Sequence, residues 1–167
     1  KGIDKCFENN CDIIILSNDD ILFDNSILHI CNEAKSLKDT DMIYFGPMSN
    51  NPGNGSNKMQ LGLPKNTNSI ICKHNNKLWN INGFFMVMTK SVLKANMFNN
   101  EYYFNPKYPF GGNETEWFNR FKKIGGQGKI VRRTFIYHYK LKRWRYNNKI
   151  NNTCIYTINL GGYEGSN

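Results

Sequence analysis

The order of apolar and polar positions along the chain predicts an α/β fold. Residues 13–16 are apolar in succession, which predicts a short strand buried on both faces, as in a parallel sheet. Apolar positions then recur at helical spacing and predict a helix that starts at Asn25 or Ser26 and ends near Leu37. Residues 41–45 predict a second strand. Because strand, helix and strand with short joins form a βαβ unit, we expect a mostly parallel central sheet with helices on both faces.

The rest of the chain predicts further strands and helices in alternation. Residues 46–69 are rich in Gly, Pro and Asn and predict a long loop. Gly125 is placed to end a helix at its C′ position, and Asn113 with Glu116 resembles a capping box at the start of that helix. The predicted elements are a strand over 82–88, a helix from Thr89 or Ser91 to about 98, a helix over 114–124 and a strand over 129–139.

Length and composition predict one globular domain. The chain has 167 residues, of which 40% are hydrophobic, so it is long enough for a hydrophobic core. We therefore expect residues 1–167 to form one domain, with 140–167 as a basic irregular tail. No apolar run reaches the roughly eighteen residues of a membrane span. The five cysteines form no CxxC pair, which argues against a zinc site, and their odd number argues against a full disulfide framework.

The net charge of +9 is unevenly distributed. Residues 117–163 contain no Asp or Glu but many Lys and Arg. This block favours a phosphate-bearing or otherwise anionic partner, and the alternative is an ordinary solvated basic face. The basic tail is also a candidate for peripheral contact with a membrane.

Acidic residues and one histidine follow the predicted strands or begin a predicted helix. Asp19 and Asp20 come directly after the first strand, Glu114 starts a helix, and His138 ends the last strand. Strand ends and helix starts at one edge of a parallel sheet converge, so these groups are expected to face one cleft. Oxygen ligands and a histidine suit a divalent cation, and a further carboxylate suits a general base. The alternative for Asp19 and Asp20 is a plain turn.

Four motifs occur in an order that resembles the GT-A glycosyltransferases, in particular the family 2-like inverting enzymes. "ILSNDDILF" is similar to their Asp-x-Asp-type motif, with Asn18 and Asp20 in the two motif positions. "LWNINGFFMVMTK" is similar to their Gly-Phe-Phe strand, and "FGGNETEWFNRF" to the segment that opens the helix with the catalytic base. "TFIYHY" is similar to their final strand, which ends in a histidine. The resemblance covers about residues 1–139 and implies a GT-A-like, Rossmann-related fold.

The resemblance implies a role for each matched residue. Asp20 and His138 would bind Mn²⁺ or Mg²⁺, and Glu114 would act as the catalytic base. Asp19 would orient the sugar or the ribose. The substrate-binding residues that the resemblance implies are Asn18, Asp19, Trp79, Gly83, Phe84, Glu116 and Arg120.

Each of these residues also has a simpler interpretation. Glu114 is a plain helix-start acid in that interpretation, and Glu116 belongs to the capping box. His138 is a core histidine with satisfied hydrogen bonds. The aromatic side chains of Trp79 and Phe84 fill the core, as aromatic residues commonly do.

The resemblance implies an enzyme that moves a sugar from a nucleotide-activated donor to an acceptor hydroxyl. The expected acceptor is a carbohydrate, a glycoprotein or a glycolipid. One alternative is a metal-dependent nucleic-acid enzyme, supported by alternating basic and aromatic residues over 140–149. Another is a carbohydrate- or protein-binding module without catalysis. We do not expect nucleic acid as a partner, since no nuclease motif order occurs.

Two departures from the family pattern shape these expectations. Asn113 and Glu114 stand where the family has Glu and Asp. The family's first strand and nucleotide-base pocket would precede Lys1, so we expect the domain to be N-terminally incomplete. Asn113 also begins an Asn-x-Thr sequon, and a glycan there would block Glu114. This favours a cytoplasmic protein.

Overall fold

A computed structural model of the chain describes residues 2–50, 60, 69–71, 73–74, 77–78, 80–109 and 112–139. The helices in these ranges are α1 (Gly2–Glu8), α2 (Ile27–Lys35), α3 (Lys90–Ala95) and α4 (Asn113–Lys123). The strands are β1 (Ile13–Ser17), β2 (Ile21–Phe23), β3 (Ile43–Ser49), β4 (Ser69–Ile71), β5 (Lys73–His74), β6 (Lys77–Leu78), β7 (Phe85–Thr89) and β8 (Gln127–His138). None of the described helices combines the length and the apolar character needed to cross a membrane.

The main sheet is mixed and mostly antiparallel. Its strand order in the described part of the chain is β1-β7-β3-β8-β2, and β4 also pairs with β8. Among the described strands of this sheet, only β3 and β8 pair in parallel, whereas β1·β7, β3·β7, β2·β8 and β4·β8 are antiparallel. The expected mostly parallel Rossmann-related sheet with helices on both faces is therefore wrong. The reason is that β7 lies between β1 and β3, so the strands of the predicted βαβ unit do not pair with each other.

β1 is only partly buried, which corrects a second expectation. Within the described residues it pairs with β7 alone, so it lies at the end of the strand order. Ile14 is buried, but Ile15 is 42% exposed. Continuous apolar sequence therefore does not correspond here to burial on both faces.

β7 has the two-sided burial that was expected of β1. All five of its residues are buried. Its successive apolar residues alternate between the two core clusters. Val87 belongs to the cluster that contains Ala34 of α2, whereas Met88 belongs to the cluster that contains Trp117 of α4. Because its residues belong to both clusters, β7 links the two halves of the core. Burying each large apolar side chain contributes about 1.5–3 kcal/mol to stability.

The predicted loop over 46–69 is wrong at its start. Gly46 and Pro47 belong to β3, which continues to Ser49. A Cβ atom at Gly46 would lie 2.1 Å from the side chain of Ile81, so glycine is needed for close packing at this position. Pro47 lies beside a shift in the register of β3 against β8. Glycine and proline therefore serve a strand here, although they are typical of loops.

The two ends of α4 differ in how well they were predicted. Gly125 follows the helix with φ of 85°, and the N–H groups of Gly125 and Gly126 bind the carbonyls of Lys122 and Phe121. This Schellman motif confirms the predicted C′ glycine. The predicted capping box is wrong, because Gly112 is the N-cap residue and makes no side-chain cap.

Candidate functional site

Asp20 and His138 meet because β2 pairs with β8. Ile21 is the partner of His138 in this antiparallel ladder, and the Tyr139 N–H donates to the Asp20 carbonyl over 3.0 Å. The Asp20 Oδ1 lies 3.1 Å from the His138 Nε2, and the two side chains are 5% and 11% exposed. The Asn18 amide nitrogen lies 3.4 Å from the same histidine nitrogen. Three predicted site residues therefore form one polar cluster with little access to solvent.

Asn50 holds the backbone of His138 and was missed in the sequence. Its side-chain oxygen accepts from the His138 N–H over 2.8 Å, and its amide nitrogen donates to the His138 carbonyl over 3.2 Å. Asn50 directly follows β3, the strand that runs parallel to β8. The signal was a polar residue directly after a strand, as at Asp19 and Asp20. Asn50 lies within the range 46–69 that was predicted as a loop, so its position after a strand was not recognised.

Phe84 covers the ring of His138. The two rings stack with centroids 4.7 Å apart and planes inclined by 14°. The Phe84 carbonyl also accepts from the Asn18 N–H over 2.8 Å. The predicted Gly83-Phe84 segment therefore contacts the polar cluster through both a ring and a backbone group.

Glu114 packs against Gly83. A Cβ atom at Gly83 would lie 2.9 Å from the Glu114 Cβ and Cγ, so only glycine leaves room for this side chain. Within the described residues the Glu114 carboxylate, which is half-buried, makes no hydrogen bond or ion pair. Glu114 therefore packs against Gly83, and the next residue in the chain, Phe84, carries the ring that stacks on His138.

A second residue missed in the sequence supports this segment. Gln60 is fully buried, and its side-chain oxygen accepts from the Asn82 N–H over 2.9 Å. Its amide nitrogen donates to the Pro47 carbonyl over 3.1 Å. Gln60 thus joins β3 to the turn that carries Gly83. A lone glutamine within a polar stretch gave no signal for this role.

Glu116 and Arg120 contact other parts of the protein. The Arg120 Nε binds the Glu116 Oε1 over 2.8 Å, and both side chains are less than one-fifth exposed. The Arg120 guanidinium also donates to the carbonyls of Asn96 and Tyr103. These contacts join α4 to the segment after α3 and favour a stabilising role over substrate binding.

The remaining predicted residues can be placed only in part. Asp19 is exposed beside Asp20. Trp79 and the basic tail over 140–167 lie outside the described residues.

The polar cluster fits a cation only as part of a larger ligand set. Within the described ranges, no group of three or more His, Cys, Asp and Glu side chains is placed to hold a metal ion. Two neighbouring ligands of an octahedral cation, with bonds of about 2.1 Å, lie about 3.0 Å apart. The Asp20 Oδ1 and the His138 Nε2 form a hydrogen bond at 3.1 Å, and this separation is also compatible with two such ligands. Mg²⁺ commonly takes its other ligands from water and substrate phosphates, so a two-residue site suits a phosphate-bearing substrate.

Asn18 could supply a third oxygen ligand. Its amide nitrogen faces the His138 Nε2, and a half-turn of the amide group would bring the oxygen to that place.

The comparisons with known proteins identify no relative. No protein-family model, curated protein or solved structure matches the chain.

Proposed function

We propose that this chain acts as a metal-dependent glycosyltransferase of the inverting type. The observation that carries the proposal is the contact between Asp20 and His138, which lie 118 positions apart in the chain. Phe84 stacks on this pair, and Glu114 packs against the neighbouring Gly83. The four motifs that resemble glycosyltransferase motifs are thus adjacent in space, which an accidental resemblance does not require.

Asp20 and His138 are the proposed ligands of Mn²⁺ or Mg²⁺, with Asn18 beside them. When bound, the cation would neutralise charge that develops on the diphosphate leaving group. Asp19 is exposed next to this pair and would orient the donor sugar or its ribose. Phe84 and Asn50 hold His138 in one orientation, which preorganises the site.

Glu114 is the proposed general base. It would accept the proton of the acceptor hydroxyl as that oxygen attacks the anomeric carbon and the sugar–phosphate bond breaks. A single displacement of this kind inverts the configuration. Glu114 has no described side-chain partner, so its carboxylate is available to an acceptor. Its place in the first turn of α4 also puts this carboxylate at the positive end of the helix dipole.

The proposed partners follow from this chemistry. The donor is a nucleotide sugar, and the acceptor is a carbohydrate, a glycoprotein or a glycolipid. We assign the activity to the cytoplasm, with a peripheral membrane contact through the basic tail. The two alternative functions, a metal-dependent nucleic-acid enzyme and a binding module without catalysis, are separated from this one by experiment.

The cation site is tested with Asp20→Asn. We expect Mn²⁺ to bind roughly tenfold or more weakly, because even changes beside a metal ligand cost about 10–100-fold in affinity. Metal-dependent hydrolysis of a panel of nucleotide sugars should be lost in parallel. Calorimetry with Mn²⁺ alone measures the first effect. Asp12→Asn, before the other end of β1, is the matched control. Full Mn²⁺-dependent activity in a folded Asp20→Asn protein would contradict the assignment.

The base is tested with Glu114→Gln. We expect sugar transfer to slow by roughly 10²-fold or more, the usual effect of losing a general base. Donor affinity should change little, since the base acts on the acceptor. Single-turnover kinetics and donor titration separate the two effects, with Glu101→Gln as an exposed control. If donor affinity falls while the turnover of bound substrate is unchanged, Glu114 is a binding residue.

The nucleic-acid alternative is tested by the electrophoretic mobility of single-stranded DNA. If the protein shifts this mobility but hydrolyses no nucleotide sugar, the nucleic-acid alternative is favoured.

A further inference from the structure

A polar groove lies between α2 and β8, and none of its residues belongs to the Asp20–His138 cluster. Its volume is about 420 Å³, which is near the lower end of the roughly 300–1,000 Å³ typical of ligand sites. It therefore has room for a small ligand. Its lining residues are His29, Asn32, Glu33, Ser36, Val131 and Arg133.

One face of α2 supplies most of the groove. His29, Asn32, Glu33 and the C-cap residue Ser36 occupy positions i, i+3, i+4 and i+7, so they form one polar stripe along the helix. Ile30 lies on the opposite side of α2 and is fully buried. Core packing therefore fixes the direction in which the polar stripe faces.

A bulge in β8 supplies the other wall. Pro47 of β3 pairs with Val131 and Met48 pairs with Phe135, so residues 132–134 lie opposite no residue of β3. Bulges redirect side chains and are common beside functional sites. Arg133 lies in this bulge and is exposed into the groove.

Hydrogen bonds join the bulge to the start of α2. The buried Thr134 hydroxyl donates to the Ser26 carbonyl over 2.9 Å, and the Ser26 hydroxyl accepts from the Phe135 N–H over 3.0 Å. The two walls of the groove are therefore held together by hydrogen bonds between side-chain hydroxyls and backbone groups, and the groove exists before a ligand binds.

Three side chains of the groove have no partner in the described part of the chain. The Arg133 guanidinium, the His29 ring and the Asn32 amide make no hydrogen bond or ion pair there. Glu33 and Arg133 share the groove without forming an ion pair with each other. The Glu33 carboxylate instead accepts from the Ser69 hydroxyl over 3.4 Å. Donors and acceptors thus remain available to a ligand.

The charges define the ligand chemistry. A guanidinium binds phosphate or carboxylate through paired hydrogen bonds. A simple inorganic anion would be repelled by Glu33, whereas a ligand with hydroxyl groups could donate to that carboxylate. Asn32 can both donate to and accept from hydroxyl groups. A ligand with an anionic group at one end and hydroxyl groups at the other can therefore bind Arg133 on one wall and Glu33 and Asn32 on the other.

We propose that this groove binds an anionic monosaccharide, with its phosphate or carboxylate on Arg133 and its hydroxyl groups on Glu33 and Asn32. The proposal goes beyond the transferase activity and does not depend on it, because binding is measured without catalysis.

The test is a titration of the full 167-residue chain with four probes, in which NMR or calorimetry measures the binding. The probes are glucose 6-phosphate, glucuronate, glucose and inorganic phosphate. We expect glucose 6-phosphate or glucuronate to bind roughly tenfold or more tightly than either glucose or inorganic phosphate. The tighter of the two identifies the anionic group. Equal binding of inorganic phosphate and glucose 6-phosphate, or no binding of either sugar anion, overturns the proposal.

Two neighbouring arginines give a matched pair of variants. Arg133→Gln should weaken binding of the sugar anion by roughly 10–100-fold, since a hydrogen bond to a charged group is lost. Arg132→Gln removes the same charge from the same bulge but not from the groove, and affinity should be nearly unchanged. Equal losses in both variants would show a general charge effect and overturn the site.

Glu33→Gln provides a second readout. Removing this carboxylate should strengthen binding of inorganic phosphate, because repulsion is lost. The preference for glucose 6-phosphate over inorganic phosphate should fall, because a hydroxyl acceptor is weakened. An unchanged preference would overturn the proposed role of Glu33. Thermal unfolding of each variant confirms that it is folded.

Discussion

His138 is constrained at its backbone and at its ring by different residues. Asn50 binds both backbone groups, Phe84 covers one face of the ring, and Asp20 contacts the Nε2. A buried carboxylate is costly unless it has a polar partner, so Asp20 also depends on this arrangement. The pair is therefore held in one geometry by residues from four segments of the chain.

Gly83→Ala should impair the proposed base without touching the cation site. The added methyl group would overlap the Cβ and Cγ of Glu114, so the start of α4 must shift. We expect transfer to slow by roughly tenfold to 10²-fold, because displacements near 1 Å can have effects of this size. Mn²⁺ affinity should stay unchanged. Transfer kinetics measure the first effect, and titration with Mn²⁺ measures the second. Gly2→Ala is the control, since nothing lies within 4 Å of its added methyl group. A normal transfer rate in Gly83→Ala would contradict the proposed position of Glu114.

The start of α2 is fixed by β8 as well as by its own flanking residues. Ser26 is the N-cap residue, as its sequence position suggested, but its side chain does not cap the helix. The hydroxyl contacts Phe135 instead, and Asp24 accepts from the Ser26 N–H over 2.8 Å. Hydrogen bonding by Ser26, through its side chain and its backbone N–H, lowers the pKa of Asp24 below its usual value.

Asp24→Asn should reduce stability in a pH-dependent way. A lowered pKa in the folded protein means that ionised Asp24 stabilises the fold above its unfolded pKa of about 3.8. This contribution is lost as the pH falls through the folded value. The stability difference between wild type and variant should therefore be present at pH 6 and shrink below about pH 4. Urea unfolding at several pH values measures it, and Asp39→Asn is an exposed control. A difference that grows toward low pH would contradict this interpretation.

Local pattern predicted most elements but not their pairing. The helices α2 and α4 and the strands β7 and β8 lie close to their predicted ranges, since periodicity and end residues are local signals. β2 was missed because three residues are too few for a pattern. The insertion of β7 between β1 and β3 depends on contacts between distant residues, which periodicity does not encode.

The candidate site was predicted by an argument that the fold corrects. Asp20 and His138 were expected to meet at the shared edge of parallel strands. They are adjacent because the residues after Asp20 form β2, antiparallel to the end of β8. The residue types were visible in the sequence, but the supporting Asn50 and Gln60 were not, because each acts through tertiary hydrogen bonds that leave no local pattern.

At the scale of the whole molecule, Tyr44 joins the sheet to α4 and to the segment before β7. Its ring packs edge-on against Trp117 with centroids 5.3 Å apart, and both side chains are fully buried. Its hydroxyl accepts from the Ile81 N–H over 2.8 Å. One side chain therefore links three segments that the sequence keeps far apart.

Tyr44→Phe should destabilise the protein by about 1–3 kcal/mol. The ring packing is kept, but the buried Ile81 N–H loses its acceptor, and an unsatisfied buried donor costs this amount. Chemical denaturation of the folded chain measures the change. Tyr108→Phe, at a ring that is 44% exposed, is the control and should have little effect. Equal stability of the two variants would show that the hydroxyl contact is unimportant.

The pairing of β2 with β8 also sets when the polar cluster can form during synthesis. Asp20 and His138 are 118 positions apart, so a ribosome moving at roughly 5–20 residues per second needs about 6–24 s between them. Throughout that interval β2 lacks β8, the strand with which it pairs in the folded protein. Contacts between such distant residues also form slowly in refolding, because a long loop must close first. The polar cluster therefore forms only after residue 138 has been synthesised, and a nascent chain interrupted before that residue contains the acidic motif without its histidine.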